Sequence, residues 1–221
     1  MRPSVVVDRP AKEVVLLTLD RGERRNAIDR RLVDELIQAL AAVEEPAVVL
    51  ASADPSAFCA GADVSLPQAE RRDVSDLIYA ACERIVAMPA VVIAALDAPA
   101  VGGGALLAAA ADLRVAGPRA ELSFVGPRFG LVVGASLLPS LVGRGRALDV
   151  CLTMRPVPAK EAHAIGLVER LADDARAAAV ELAQEIAAAD PAVVAGVKAL
   201  TRTASGIAEA LAAERRFNAG R

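Results

Sequence analysis

The stretch VVIAALDAPAVGGGALLAAAAD, Val91 to Asp112, runs from an apolar strand-like segment through a break at Asp97-Ala98-Pro99, crosses Gly102-Gly103-Gly104 and resumes as an alanine-rich helix. A strand that feeds a helix through consecutive glycines presents backbone N–H groups with no Cβ to keep a ligand away. Such donors at a helix N-terminus attract negative charge as it develops, which is the raw material of an oxyanion hole. The same glycines also let a helix pack closely on a sheet, and this segment alone leaves both readings open. A second glycine turn favours the first. Phe58-Cys59-Ala60-Gly61-Ala62-Asp63 follows another apolar strand, Ala47 to Ala51, and offers one more backbone N–H. Turns after two parallel strands open toward the same side of a sheet.

Composition limits what can surround this pair. A chain of 221 residues can bury a substantial core as one large domain, or as one domain with a short appendage. A net charge of -3, a pI near 5.4 and the lack of any basic block argue against a nucleic-acid surface. Cys59, Cys82 and Cys151 are scattered, odd in number and without metal-ligand spacing. They read as reduced, buried thiols, with no metal site, in a cytoplasmic protein. Cys59 adjoins the second glycine turn, but the only histidine, His163, is far along the chain, so Cys59 is not read as a nucleophile. Arg2, Asp8, Arg9 and Lys12 break any early apolar run, which speaks against a signal peptide. From Ile85 to Ala111 the chain is apolar enough to raise a membrane span. Pro89, Asp97, Pro99 and the three glycines prevent the single helix of roughly 20 residues that a span requires.

Outward from the glycine turns, strand and helix alternate. Strands are expected at Val14 to Leu19, Ala47 to Leu50, Val91 to Leu96, Leu113 to Ala116 and Leu122 to Val125. Asp29 is placed to cap a helix from Arg30 to Val43, whose Leu32, Leu36, Leu40 and Val43 share one face. Further helices are expected from about Val74 to Ala87, from Ala105, over Leu137 to Leu141 and over Ala147 to Leu152. From Pro158 onward the pattern is helical only, with segments at Ala159 to Ile165, Ala175 to Ala189, Pro191 to Thr201 and Ile207 to Phe217. The chain therefore divides into an α/β core over 1–157 and a helical C-terminal region over 158–221.

Four segments together carry a resemblance. Leu19-Asp20-Arg21-Gly22-Glu23-Arg24-Arg25-Asn26-Ala27, Ala57 to Asp63, Val92 to Asp112, and Ala162-His163-Ala164-Ile165-Gly166-Leu167-Val168 stand in the order and approximate spacing of the crotonase superfamily, the enoyl-CoA hydratases and isomerases. The chain resembles that superfamily over nearly its whole length. The resemblance implies a spiral of ββα turns with a helical C-terminal region, assembly as homotrimers or hexamers, and a role in fatty acid metabolism. It also implies an acyl-CoA or acyl-carrier thioester as ligand, with coenzyme A entering as part of the substrate and no separate cofactor. By the same resemblance the oxyanion hole falls on the backbone N–H groups of Ala62 and Gly103, the two turns picked out above. Ala60 and Asp63 would border the adenine end of the nucleotide, and Arg24 and Arg25 lie where the family often has a cation near the phosphates. Ordinary surface arginines on a solvated turn are the alternative for that pair.

The departures from the family pattern bear on the chemistry. Hydratases similar to this chain carry one catalytic glutamate three residues beyond the middle glycine and a second in the turn after a later strand. Here, in an ungapped register from Asp112 to Gly134, those positions hold Leu106 and Gly126, neither of which exchanges a proton; a slip of about two residues at the second position would bring in Ser123, Glu121 or Arg128 instead. General acid–base groups commonly contribute about 10²–10⁴-fold each, so ordinary hydratase activity is not expected. Decarboxylation, which needs mainly the enolate hole, or thioester hydrolysis by a positioned water asks less of side chains. A catalytically silent thioester-binding protein and a structural partner of an active homologue are the other readings. Tyr79, Ser123 and Ser136 are polar helpers by position, with a surface or capping role as the simpler expectation. His163, Asp63, Asp97 and Asp112 are read as packing or turn residues. The chain stops at Arg221, soon after the helix with Glu209, Glu214 and Phe217, where relatives usually continue into a helix that covers the pocket.

Overall fold

Six consecutive buried residues, Val91–Leu96, form the strand β4 at the heart of the molecule, because a strand with apolar side chains on both faces must be covered twice. The computed structural model describes residues 2–219; Met1, Gly220 and Arg221, the outer ends of the two segments set out above, lie outside the described residues. In chain order the elements are β1 (Val5–Ala11), β2 (Val14–Leu19), α1 (Arg30–Ala41), β3 (Ala47–Ser52), α2 (Gln68–Ala87), β4, β5 (Ala100–Val101), α3 (Gly103–Ala110), β6 (Leu113–Ala116) and β7 (Glu121–Ser123). There follow α4 (Leu138–Val142), α5 (Arg144–Thr153), β8 (Val157–Pro158), α6 (Ala159–Ala164), β9 (Arg170–Leu171), α7 (Ala175–Ala187), α8 (Pro191–Ser205) and α9 (Ile207–Ala219).

Among the described residues the main sheet has the order β1-β2-β3-β4-β6-β9, parallel except for the β1–β2 pair, and β5, β7 and β8 form a smaller sheet. The period of two along each strand splits the core. Val15, Leu17, Val48, Leu50, Val92 and Ala94 face the cluster built with α1, α2 and α3. Val14, Leu16, Val49 and Ile93 face the other way, onto Ala175, Ala179, Leu182 and Ala183 of α7. The alanines let α7 lie close on the sheet. Asp97, at the end of β4, accepts from the Ala175 and Arg176 N–H groups at 2.8 and 3.2 Å and so fixes where α7 begins.

Most expected elements stand where the hydrophobic period put them, within a few residues. The stretch after Pro158 is not helical throughout. Arg170–Leu171 pairs in parallel with Val115 and Ala116 as β9, completing the sheet through backbone bonds that two exposed residues give no pattern for. Val5–Ala11 is likewise an added strand. It is an edge strand, mostly exposed, and its Asp8, Arg9 and Pro10 are residues that blunt an edge rather than fill a core.

Candidate active site

The two glycine turns lie side by side. Cys59 bridges in parallel to Ala100, and the Val101 N–H donates to the Cys59 carbonyl at 2.9 Å. Gly61 has φ of +85°, and a Cβ built there would stand 2.7 Å from the Val101 carbonyl oxygen and 3.2 Å from the Gly103 nitrogen. Glycine at 61 is therefore needed both for its backbone angle and for this approach. At Gly104 a side chain would collide with the Cys59 carbonyl, so the start of α3 packs directly on the second turn. Close packing, one of the two readings of the glycines, is therefore realised here.

Ala62 and Gly103 are half-buried, and among the described residues neither N–H donates to a backbone or side-chain acceptor. The neighbouring amides are committed. Ala60 N–H donates to the Arg25 carbonyl at 3.0 Å and Asp63 N–H to the Ile28 carbonyl at 2.9 Å, while the Gly61 carbonyl accepts from Ile28 N–H at 2.7 Å. These bonds make 25–28 a backing strip for 60–63. Asn26, fully buried, locks the strip with its Nδ2 on the Phe58 carbonyl and the Ser52 hydroxyl, at 3.0 and 2.7 Å.

Asp63 turns its carboxylate into this scaffold. It accepts from the Ser65 hydroxyl at 2.6 Å and the Ser65 N–H at 3.0 Å, and pairs with Arg21 at 3.0 Å. The Ser65 hydroxyl first, then the Ser65 N–H and the Arg21 guanidinium, hold its carboxyl below the usual aspartate value against the opposing effect of burial. What Asp63 offers a ligand is hence its position in the turn, not its charge. Ala60 is exposed, and its carbonyl has no donor among the described residues. Arg24 and Arg25 are exposed on the adjoining turn and enter no ion pair among the described residues, with Arg25 in the left-handed region at φ 52°. The structure thus brings Arg25, Ala60, Ala62 and Gly103 into one strip of surface.

The wall beyond the Gly102–Gly103 turn is apolar. Leu106 is 1 % exposed within α3. A side chain at Gly126 would meet the Leu131 carbonyl at 2.7 Å and Val133 at 2.8 Å, so this glycine is required by space, with no positive φ. Ile78 of α2 stands on the other side of the turn, 2.9 Å from where a Cβ on Gly103 would be.

Tyr79 is not a surface residue: it is 2 % exposed, with its hydroxyl 2.8 Å from Glu214 Oε1 of α9. Burial, reinforced by the Glu214 charge, pushes its phenol well above the ordinary range, so Tyr79 is a hydrogen-bond donor at neutral pH and not a base. Cys59 is sealed in the core with its Sγ 3.1 Å from the Asn26 carbonyl, and burial pushes its thiol up to about 12. It stays a thiol at neutral pH. His163 lies on the surface, with Nδ1 3.0 Å from the Val168 carbonyl, a packing contact as expected. Asp112 accepts from Val92 N–H and pairs with the buried Lys198 of α8, both at 2.7 Å. Burial raises its carboxyl and lowers the Lys198 ammonium, while each ion holds the other charged. Among the described residues no cluster of metal-ligating side chains occurs and no helix is long and apolar enough to cross a membrane.

A mostly parallel sheet with two adjoining glycine turns, a nearby pair of exposed arginines and a helical C-terminal layer is a crotonase-type fold. The chain belongs to the enoyl-CoA hydratase/isomerase family, whose sequence profile matches residues 9–220. It is 35 % identical over 181 residues to the probable enoyl-CoA hydratase echA6 of Mycobacterium bovis, a match covering 79 % of this chain and 74 % of that protein. It is 34 % identical over 209 residues to the putative enoyl-CoA hydratase/isomerase YngF of Bacillus subtilis, covering 88 % and 80 % of the two chains. Among solved structures it superposes on an enoyl-CoA hydratase/isomerase from Xanthobacter autotrophicus with a TM-score of 0.87 at 28 % identity, over 98 % of this chain and 86 % of that one.

Arg21, Asn26, Glu214 and Asn218 are the site-building residues that sequence reasoning did not single out. Arg21 and Asn26 had a signal, since both fall inside the first of the four family-like segments. Glu214 and Asn218 had none, because a glutamate and an asparagine on a mixed-charge terminal helix read as a solvated face.

Proposed function

We propose that this chain binds an acyl-CoA or acyl-carrier thioester, with the thioester oxygen held between the N–H groups of Ala62 and Gly103, and stabilises an enolate or oxyanion there. The observation that carries this reading is the pairing of two unspent amides on adjoining glycine turns, in a family whose members act on such thioesters. Arg24 and Arg25 take the nucleotide phosphates, and the free carbonyl of Ala60, beside Asp63, takes a donor from the adenine. Coenzyme A comes with the substrate and no further cofactor is invoked.

The reaction we favour is one that needs the hole more than a proton shuttle, decarboxylation or thioester hydrolysis rather than enoyl hydration. Leu106 and, in the ungapped register, Gly126 support this, since an apolar side chain and a close-packed glycine then stand at the two positions from which hydratases of this family exchange protons. The same two residues favour, as second reading, a protein that holds the thioester without turnover. We also read the protein as a cytoplasmic homotrimer or hexamer of fatty acid metabolism. Three buried, reduced thiols suit a reducing compartment, and an exposed apolar face on α8 suits assembly.

Titration calorimetry with crotonyl-CoA and longer acyl-CoAs, then with a malonyl-type thioester under a product assay, tests the reading. Gly103→Pro removes one donor at the first helical position, where proline is tolerated. Its Cβ would stand 2.9 Å from Ile78, so the flexible end of that side chain has to shift, and circular dichroism checks that the fold survives. The variant is expected to cost about 3–4 kcal/mol of transition-state stabilisation, or to weaken thioester binding when no turnover exists. Unchanged turnover and affinity in that variant would remove Gly103 from the site, and rapid hydration by the unaltered protein would overturn the reaction assignment.

A further inference from the structure

Glu214 is 6 % exposed and has no cationic partner among the described residues, an arrangement that costs free energy unless hydrogen bonds repay it. Its carboxylate accepts from Gly134 N–H at 2.9 Å, Ser136 N–H at 2.5 Å and the Tyr79 hydroxyl at 2.8 Å. One turn on, Asn218 repeats the pattern. Its Oδ1 accepts from Val132 N–H at 3.0 Å, while its Nδ2 donates to the Val132 carbonyl at 2.7 Å and to the Tyr79 oxygen at 2.8 Å.

These partners belong to the two walls that flank the Gly102–Gly103 turn. Tyr79 follows Ile78, the α2 residue against Gly103. The segment 131–136 packs through Leu131 and Val133 on Gly126, and Val125, the residue before it, lies 3.5 Å from where a Cβ on Gly102 would be. Arg215 anchors α9 on α2 independently, through Asp76 and Glu83 at 2.7 Å. Removing Glu214 therefore releases the spacing between the walls without detaching the helix.

We infer that Glu214 of α9 is a positioning and specificity-determining residue, which sets the separation of α2 and the 131–136 segment and so the width of the cleft that receives the acyl chain. The inference rests on reading the glycine turns as the thioester site. A glutamine in place of Glu214 keeps the shape but has one acceptor oxygen, so its amide NH₂ faces one of the two loop N–H groups, donor against donor. The loop then loses a charge-assisted bond and the cleft wall is no longer fixed.

Glu214→Gln and Tyr79→Phe, each beside the unaltered protein, are titrated with coenzyme A, butyryl-CoA and dodecanoyl-CoA, and amide hydrogen exchange is followed over 131–136 without ligand. Glu214→Gln is expected to weaken dodecanoyl-CoA by about tenfold, butyryl-CoA less, and coenzyme A by under about twofold. Exchange at Gly134 and Ser136 is expected to quicken. Tyr79→Phe, which leaves the Glu214 bonds to the loop in place, should show a smaller selectivity change with no faster exchange there, and it carries the test should Glu214→Gln fail to fold. Equal affinities in variant and unaltered protein, or a loss common to coenzyme A and every thioester, overturns the inference by making Glu214 a structural residue alone. Absence of thioester binding by the unaltered protein overturns the thioester reading, and this inference falls with it.

Discussion

Asp63 ties the chemistry of a single side chain to the pose of the Ala62 amide one bond away. Its carboxylate is held by Ser65 and Arg21 and its own N–H is fixed to Ile28, so the turn that presents Ala62 is pinned on both sides of the peptide. The folded carboxyl titrates below the ordinary aspartate value. A depressed acid contributes stability that is present above the unfolded pKa and lost as the pH falls through the folded one. Thermal melts between about pH 6 and pH 2 are therefore expected to fall steadily in the unaltered protein and to fall less steeply in Asp63→Asn, whose amide does not titrate. Parallel acid limbs in the two proteins would show that Asp63 keeps its ordinary value. Arg21 and Asn26 were visible in the sequence as members of a motif, yet their partners, Asp63 and Phe58, lie more than thirty residues away. Pairings of that span are set by the sheet, not by local pattern.

At the scale of elements, α3 depends on a residue beyond its own end. Arg114, fully buried on β6, donates to the carbonyls of Ala111 and Leu167, both at 2.8 Å, approaches those of Ala108 and Ala109 and pairs with Glu169. The guanidinium thus fills the carbonyls that the end of α3 leaves open, where the helix dipole favours a cation. Arg114→Met keeps much of the volume but strands those carbonyls and leaves Glu169 without its cation. It is expected to destabilise the fold by about 3–5 kcal/mol, read as a lower denaturant midpoint at unchanged slope. A change under about 1 kcal/mol would mean that other groups satisfy the helix end. Strands β2 to β4 and α1 were legible because their apolar periods are long and unbroken. The edge strand β1 and the two-residue β9 were not, since pairing rather than burial defines them. Arg114 illustrates the same limit. A lone arginine between apolar residues reads as a polar exception, and only the meeting of α3, β6 and the Leu167 turn explains it.

For the whole molecule, α8 presents an apolar face that the fold of one chain does not cover. Val193, Val197 and Leu200 stand at i, i+4 and i+7 with exposures of 62, 59 and 74 %, while Lys198 on the opposite side is buried on the Ile85 and Ala90 carbonyls and Asp112. A helix anchored by a buried ion on one face and apolar on the other is amphipathic in reverse, with its greasy side turned to solvent. Covering a valine or leucine side chain recovers about 1.5–3 kcal/mol, so three in a row form a strong drive to self-association even after the cost of immobilising a partner. The closed assembly proposed above would repeat this face by symmetry. Light scattering of the unaltered protein at micromolar concentration is expected to give the mass of a trimer or hexamer. In Val197→Asp/Leu200→Asp, which places charges on the face and leaves Lys198 untouched, the mass should fall to that of the monomer with secondary structure retained. A monomeric unaltered protein, or a double variant that keeps the larger mass, would place the contact elsewhere. Thioester titration of the monomeric variant then tells how the parts combine. Affinity retained means that one chain completes the cleft proposed between α2 and 131–136, and affinity lost means that a neighbouring copy supplies part of it.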